Sequence, residues 1–237
     1  MWRKAVPNAL SLANLCMGVL AIYLSFGGFL AYAAAAVLLG MLFDACDGAA
    51  ARLLGTGGVF GKEMDALCDL ISFGVAPVFI LCNLVGLEHQ TWQMMMQLLI
   101  FPMCGALRLA RFNTTDHLPS GNFVGLPITA AGGILAMTAV CATSLHSLHL
   151  SIATLYLSLM MISRVPYASA KSISSVRELV KESLLAMLII ILVLLFMGEG
   201  LTSINALLPG EWLLLPLWGY ALSGVVHRLL LWRRKEF

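Results

Sequence analysis

Residues 29–86 read FLAYAAAAVLLGMLFDACDGAAARLLGTGGVFGKEMDALCDLISFGVAPVFILCNLVG. Two apolar runs flank a short break at Gly55-Thr56-Gly57-Gly58, a composition that is typical of a turn. Each run is long enough to cross the hydrocarbon core of a bilayer, which takes about 20 apolar residues. Because the connection is short, the pattern predicts two antiparallel membrane helices, at 29–53 and 62–86.

The composition of the whole chain agrees with a membrane protein. Of its 237 residues, 60% are hydrophobic and 11% are charged, whereas a soluble domain has about 45–50% apolar and about 25% charged residues. This composition excludes a disordered protein, a disulfide scaffold and an ordinary cytosolic domain. The net charge of +2 does not indicate a nucleic-acid partner. We therefore predict an all-α, polytopic helical bundle in the lipid bilayer.

The apolar runs predict about eight transmembrane helices, because a lipid-exposed backbone must satisfy its own hydrogen bonds. Besides the hairpin, the expected spans are 8–26, 92–112, 125–144, 149–165, 182–198 and 212–232. A polar and basic stretch, Tyr167–Lys181, separates the sixth span from the last two. The predicted organisation is a six-helix body within 1–170, followed by a linker and two C-terminal helices in 171–237.

The basic residues predict the orientation in the membrane. With eight spans, all 14 lysines and arginines fall on the side that carries both termini. The positive-inside rule makes that side cytoplasmic. We expect a multi-pass protein of the cell membrane with both termini and the 54–61 loop in the cytoplasm. The first apolar run is expected to remain as a span and not to be cleaved as a signal peptide.

Four aspartates lie within the predicted hairpin helices. Asp44 and Asp47 are near the end of the second span, and Asp65 and Asp69 are near the start of the third. An ionisable residue at the centre of a bilayer costs about 2.5–3.5 kcal/mol or more, so each is a functional candidate. The spacings of three and four residues put each pair on one helix face. The hairpin should bring both pairs together at its cytoplasmic end.

Four clustered carboxylates need compensating charge, and two divalent cations would supply it. Oxygen ligands suit Mg²⁺ or Mn²⁺, and the lack of histidine or a CxxC pair nearby argues against zinc. A proton or cation relay in a transporter is the alternative. The small residues Gly48 and Ala51, followed by Arg52, favour a bound diphosphate over that alternative.

Residues 44–69 match the pattern DxxDGxxAR, eight residues, GxxxDxxxD. This run resembles the signature of the CDP-alcohol phosphatidyltransferase family. The resemblance implies a membrane enzyme with a six-helix catalytic body, which displaces CMP from a CDP-linked lipid with the hydroxyl of a small alcohol. It implies that Asp44, Asp47 and Asp65 bind two Mg²⁺ or Mn²⁺ ions at the diphosphate. Asp69 would be the general base and could also touch the second ion.

The resemblance also implies a binding site for the CDP-lipid, and a homodimer. Near the start of the first predicted span, Pro7-Asn8-Ala9-Leu10-Ser11 and Asn14 are similar to an element that the family uses for the nucleotide. The residues expected to line the lipid site are Asn8, Ser11, Gly48, Ala51, Arg52, Gly58 and Gly61. A helix N-terminal cap is the alternative interpretation of Asn8 or Ser11.

Three further segments resemble the branch of the family that uses CDP-diacylglycerol as donor and L-serine as acceptor. They are DLISFGVAP at 69–77, LRLARFN at 107–113 and SRVPYASAK at 163–171. We expect Arg108 or Arg111 to bind the acceptor carboxylate, with Asn113 and Ser72 nearby. Anchoring at the lipid boundary is the alternative for both arginines. Glycerol 3-phosphate and inositol phosphate stay open as acceptors.

Overall fold

The computed structural model describes residues 2–85, 92–114, 123–141, 147–167 and 217–223. These residues are helical except for the connections and one pair of two-residue strands. The elements are α1 (Trp2–Phe26), α2 (Leu30–Leu54), α3 (Val59–Asp69), a π-helical segment (Leu70–Val75), α4 (Ala76–Val85), α5 (Trp92–Thr114), β1 (Phe123–Val124), α6 (Ile128–Cys141), α7 (Ser147–Ile162) and β2 (Pro166–Tyr167). Residues 217–223 are also helical and are called α8 below.

Four helical stretches are long and apolar enough to cross a membrane. They are Ala5–Phe26, Leu30–Leu54, Val59–Val85 and Met95–Thr114. The prediction of a helical membrane protein with several spans is therefore confirmed. The count of about eight stays a prediction, because the expected span 182–198 and most of 212–232 lie outside the described residues. The boundary proposed between 170 and 171 lies there too.

The first helix begins earlier than the sequence predicted. It starts at Trp2 and contains Pro7, whereas the expected span began at residue 8. Pro7 is the sixth residue of α1 and so lies past the first turn, where its missing N–H removes one backbone hydrogen bond of the helix. Asn8 and Ser11 consequently lie inside α1, and their interpretation as an N-terminal cap is wrong.

Glycines lie at three other helix boundaries. Gly55 takes φ +61° after α2, and its N–H bonds to the carbonyls of Ala51 and Arg52, a left-handed termination that glycine adopts without strain. Gly125 takes φ +84°, so the helix predicted at 125–144 begins at Ile128 instead. The third predicted helix begins at Val59 instead of residue 62, after the extended backbone of Gly58.

The π-helical segment lies at the centre of the bundle and follows directly after Asp69. A Cβ added to Gly18 of α1 would lie 2.7 Å from Ser72 Cα, and one on Gly132 of α6 would lie 2.8 Å from Phe73 Cα. Side-chain-free positions on two helices therefore let both backbones approach this segment closely. This packing restrains the segment that directly follows Asp69.

Candidate active site

Three of the four predicted aspartates form one carboxylate cluster. Oxygen atoms of Asp44, Asp47 and Asp65 all lie within 4.8 Å of one another. Asp44 and Asp47 come from α2, and Asp65 comes from α3, on the other side of the glycine-rich turn. The predicted convergence of the two helix faces is confirmed for these three residues.

The cluster fits a divalent cation. Asp65 Oδ1 is buried and has no hydrogen-bond partner within the described part of the chain, and Asp47 is 4% exposed. Carboxylates that are buried and close together repel one another and need a compensating positive charge. Hard oxygen donors suit a hard divalent ion. The residues present can therefore hold a metal ion.

Two polar side chains of helix α1 donate hydrogen bonds to aspartates of the site. Ser11 Oγ donates a hydrogen bond to Asp47 Oδ2 at 2.6 Å, and Asn14 Nδ2 donates to Asp69 Oδ1 at 3.0 Å. Ser11 and Asn14 are three residues apart, so they share a helix face. The sequence resemblance associated this helix with the nucleotide and missed its contact with Asp69. The available signal in the sequence was Asn14 itself, because it is a polar residue in an apolar helix, one turn beyond Ser11.

The structure also brings together residues that were predicted to bind the CDP-lipid. A Cβ added to Gly61 would lie 3.6 Å from Asn8 Oδ1, and one added to Gly48 would lie 3.5 Å from Arg52 Nη1. Both glycines therefore leave space beside a polar side chain. Gly58 is exposed at the start of α3, and Ala51 is half-buried on α2. The binding roles of all these residues stay predictions.

Arg108 of α5 faces the aspartates. Its side chain is 7% exposed, and its guanidinium interacts electrostatically with Asp69 and Asp44. The Arg108 Nε is buried without a hydrogen-bond partner among the residues that the structure describes. The guanidinium carbon lies 6.0 Å from the centre of the Phe112 ring. A buried cation with an unsatisfied N–H group is suited to bind an anionic ligand.

Arg111 has different surroundings, although the sequence treated the two arginines alike. Its Nη1 donates to the Ile162 carbonyl at 2.9 Å, and its Nη2 donates to the carbonyls of Ser163 at 3.4 Å and Met161 at 3.5 Å. These carbonyls lie at the end of α7, where a cation is favourable. The contacts favour a structural role for Arg111 over the predicted contact with the acceptor.

The other two residues predicted to bind the acceptor also have protein partners. Ser72 Oγ donates to the Asn14 carbonyl at 2.9 Å, and Asn113 Nδ2 lies 3.3 Å from Glu63 Oε1. Ser72 is fully buried in the π-helical segment. Its hydroxyl therefore links that segment to α1, and direct contact of either residue with an acceptor stays a prediction.

Comparison with known proteins identifies the family. The sequence profile of the CDP-alcohol phosphatidyltransferase family matches residues 4–164. A CDP-diacylglycerol–serine O-phosphatidyltransferase of Methanocaldococcus jannaschii is 35% identical over 162 residues, which are 68% of this chain and 73% of that protein. An archaetidylserine synthase of Methanothermobacter thermautotrophicus is 38% identical over 168 residues, 69% of each chain. A CDP-diacylglycerol–serine O-phosphatidyltransferase of Bacillus subtilis is 32% identical over 167 residues, 70% of this chain and 91% of that protein. The chain therefore belongs to the CDP-alcohol phosphatidyltransferase family, and it is a phosphatidyltransferase.

Proposed function

We propose that the enzyme transfers the phosphatidyl group of CDP-diacylglycerol to the hydroxyl of L-serine, giving phosphatidylserine and CMP. The observation that supports an anionic acceptor is the buried Arg108. Its Nε lacks a partner in the described structure, and its guanidinium faces the aspartates. An anionic acceptor, with a carboxylate or a phosphate, supplies the negative charge that such a group needs, and the choice of serine rests on the relatives. The names of the relatives in Methanocaldococcus jannaschii and Bacillus subtilis support serine.

The donor diphosphate would be held at the carboxylate cluster. We infer two divalent ions, Mg²⁺ or Mn²⁺, bound by Asp44, Asp47 and Asp65 and touched by Asp69. When bound, such ions would neutralise the diphosphate and stabilise the CMP that leaves. Ser11 holds Asp47 in place through its hydrogen bond. Asn8 and Arg52 would bind the nucleotide and the phosphate, with Ala51 and Gly58 lining the same site and Gly48 and Gly61 leaving room for the ligand.

Asp69 is the base that we assign to the acceptor hydroxyl. Its Oδ1 accepts from Asn14, which leaves Oδ2 to take the proton. The serine oxygen then forms a bond to phosphorus while the bond from phosphorus to the CMP oxygen breaks. A positioned base of this kind contributes about 10²–10⁴-fold to the rate.

The setting of the reaction follows from the sequence pattern. The 14 basic residues favour a cytoplasmic active site and cytoplasmic termini in the cell membrane. A site at that boundary admits serine and CMP from water while the acyl chains stay in lipid. A homodimer is proposed from the family resemblance alone.

An acceptor assay tests this function. The protein in lipid nanodiscs is given CDP-diacylglycerol with labelled L-serine, glycerol 3-phosphate or inositol phosphate, and CMP is measured. We expect CMP release with serine and divalent metal only. Release with glycerol 3-phosphate or inositol phosphate alone would contradict the acceptor, and equal release in excess chelator would contradict the metal. Cation flux without any CMP would support the transporter alternative.

A further inference from the structure

Gly40 of α2 is a buried glycine in the interior of a continuous apolar helix. Its φ is not positive, so the backbone does not require glycine here, and glycine is less favourable than alanine within a helix. Gly40 lies four residues before Asp44, on the helix face that leads to the carboxylate cluster. A glycine at this position indicates that a neighbouring group needs the space that a side chain would fill.

The neighbouring group is the side chain of Asn14. A Cβ added to Gly40 would lie 2.9 Å from Asn14 Oδ1, which is too close for two atoms that are not bonded. The next atoms, Met17 Cβ and Phe73 Cε1, would both be at an ordinary contact distance of 3.7 Å. Asn14 Oδ1 is buried and has no hydrogen-bond partner among the residues that the structure describes. The Asn14 oxygen is therefore the one group there that a methyl on residue 40 would displace.

The other end of the same carboxamide holds Asp69. Asn14 Nδ2 donates to Asp69 Oδ1 at 3.0 Å, and because the carboxamide is planar and rigid, a displacement of its oxygen also moves its nitrogen. The Asn14 backbone is restrained separately, since its carbonyl accepts from Ser72 Oγ at 2.9 Å. Pressure on Oδ1 from α2 would therefore act on the side chain and on its hydrogen bond to Asp69.

We propose that Gly40 is a positioning residue for Asp69 and acts through Asn14. The missing side chain at residue 40 seats the carboxamide oxygen against α2 and so directs the donor toward the base. This rests on the proposed function, since it takes Asp69 as the base for the acceptor hydroxyl. Helix α2 then serves both halves of the site, with its aspartates in the carboxylate cluster and its glycine, one turn earlier, behind the residue that orients the base.

The test is the Gly40→Ala variant of the full chain in lipid nanodiscs. The melting temperature should stay near the wild-type value, because the obstacle is the end of a side chain and alanine is the better helix former. We expect kcat to fall about 3- to 10-fold, up to the effect of losing a hydrogen bond to a charged group. The KM values for CDP-diacylglycerol and L-serine should stay within about twofold of wild type. A role in packing alone would not lower kcat at an unchanged melting temperature.

A double-mutant cycle with Asn14→Ala tests the route of the effect. Asn14→Ala removes both the obstructed oxygen and the donor, so adding Gly40→Ala to it should not lower kcat further. Additive losses would overturn the proposal, and so would a wild-type kcat in Gly40→Ala or a raised KM for CDP-diacylglycerol in its place. If Gly40→Ala alone folds poorly, adding Asn14→Ala should restore the folded yield, because the clash is gone; failure to restore it would overturn the proposal too.

Two other glycines supply controls. In Gly133→Ala of α6, the Cβ would lie 2.7 Å from Met41 Sδ, which also belongs to a flexible side chain, and kcat should stay at its wild-type value. Gly219→Ala in α8 meets no atom of the described residues within 4 Å and shows the effect of helix propensity alone. A fall in kcat in Gly133→Ala equal to that in Gly40→Ala would overturn the proposal. Asp69→Asn tests the proposed function separately, since a wild-type kcat in that variant would overturn the assignment of the base whatever Gly40→Ala does.

Discussion

Asn14 of α1 donates a hydrogen bond of 3.0 Å from Nδ2 to Oδ1 of Asp69, at the end of α3. Asn14 is fully buried and Asp69 is 7% exposed. The Asn14 carbonyl in turn accepts from Ser72 Oγ at 2.9 Å. One residue of the first helix therefore restrains both the proposed base and the π-helical segment that follows it.

Removal of the Asn14 amide should impair the chemical step. In Asn14→Ala, Asp69 loses the donor that fixes its carboxylate, and we expect kcat to fall about 10-fold, equivalent to one hydrogen bond to a charged group. The KM for CDP-diacylglycerol should change little, because the carboxylates of Asp44, Asp47 and Asp65 are all kept. Steady-state CMP release in nanodiscs measures both quantities.

Asn83→Ala is the matched control for that variant. Asn83 of α4 also donates its amide inside the bundle, to Ser25 Oγ at 3.1 Å. It follows Asp69 by 14 residues in the chain, which is about 21 Å along a helix. This variant should lose some stability and keep kcat. A wild-type kcat in Asn14→Ala would contradict the positioning of Asp69.

If the carboxylate cluster binds a metal ion, neutralising Asp65 should reduce activity and neutralising the nearby Glu63 should not. In Asp65→Asn, a carboxylate of the cluster becomes neutral, and kcat at a fixed Mg²⁺ concentration should fall at least about 100-fold. Glu63→Gln is the control, because Glu63 is exposed on the same helix and contacts Asn113. Mn²⁺ binding, followed by electron paramagnetic resonance, should weaken only in Asp65→Asn. Equal binding in both variants would contradict the site.

The hairpin and the carboxylate cluster could be predicted because their determinants are local. Spacings of three and four residues define a helix face, and the short glycine-rich turn places Asp47 opposite Asp65. The structure confirms this convergence. Four aspartates in an apolar sequence were a sufficient signal for a carboxylate cluster, in which the structure places three of them.

Contacts between distant segments could not be predicted in the same way. The local sequence shows Asn14 as a polar residue in an apolar helix but does not identify Asp69 as its partner, since that contact depends on how α1 packs against α3. Arg108 and Arg111 share a helix face, yet one faces the aspartates and the other bonds to the end of α7. The two arginines have different surroundings because each lies beside different neighbouring helices. The periodicity of the sequence does not specify which helices those are.

Arg111 should contribute to stability and not to acceptor recognition. Arg111→Ala removes the donor for the carbonyls of Ile162 and Ser163, which we expect to cost about 1–2 kcal/mol of unfolding free energy. The melting temperature in detergent should fall while the serine KM stays at its wild-type value. In Arg108→Lys the serine KM should rise about 10-fold instead. A raised serine KM in Arg111→Ala would restore the original prediction for that residue.

Gly132 is required for the close approach of α6 to the π-helical segment. In Gly132→Ala the added Cβ would lie 2.8 Å from Phe73 Cα, and because the obstacle is backbone, the helices themselves must move. Overpacking of this kind costs about 1–3 kcal/mol. The shift would pass through the segment to Asp69, so both the melting temperature and kcat should fall.

Gly219→Ala provides the comparison, because a Cβ there meets no atom of the described residues within 4 Å. Alanine is favoured over glycine in a helix by about 0.5–1 kcal/mol, so this variant should be as stable as wild type or slightly more stable. The two glycine substitutions add the same methyl group, and only the distance to a neighbouring backbone differs. If Gly132→Ala melted at the wild-type temperature, α6 could not be packed against Phe73 as closely as the structure places it, and the π-helical segment would lack the restraint that holds Asp69 beside the cluster.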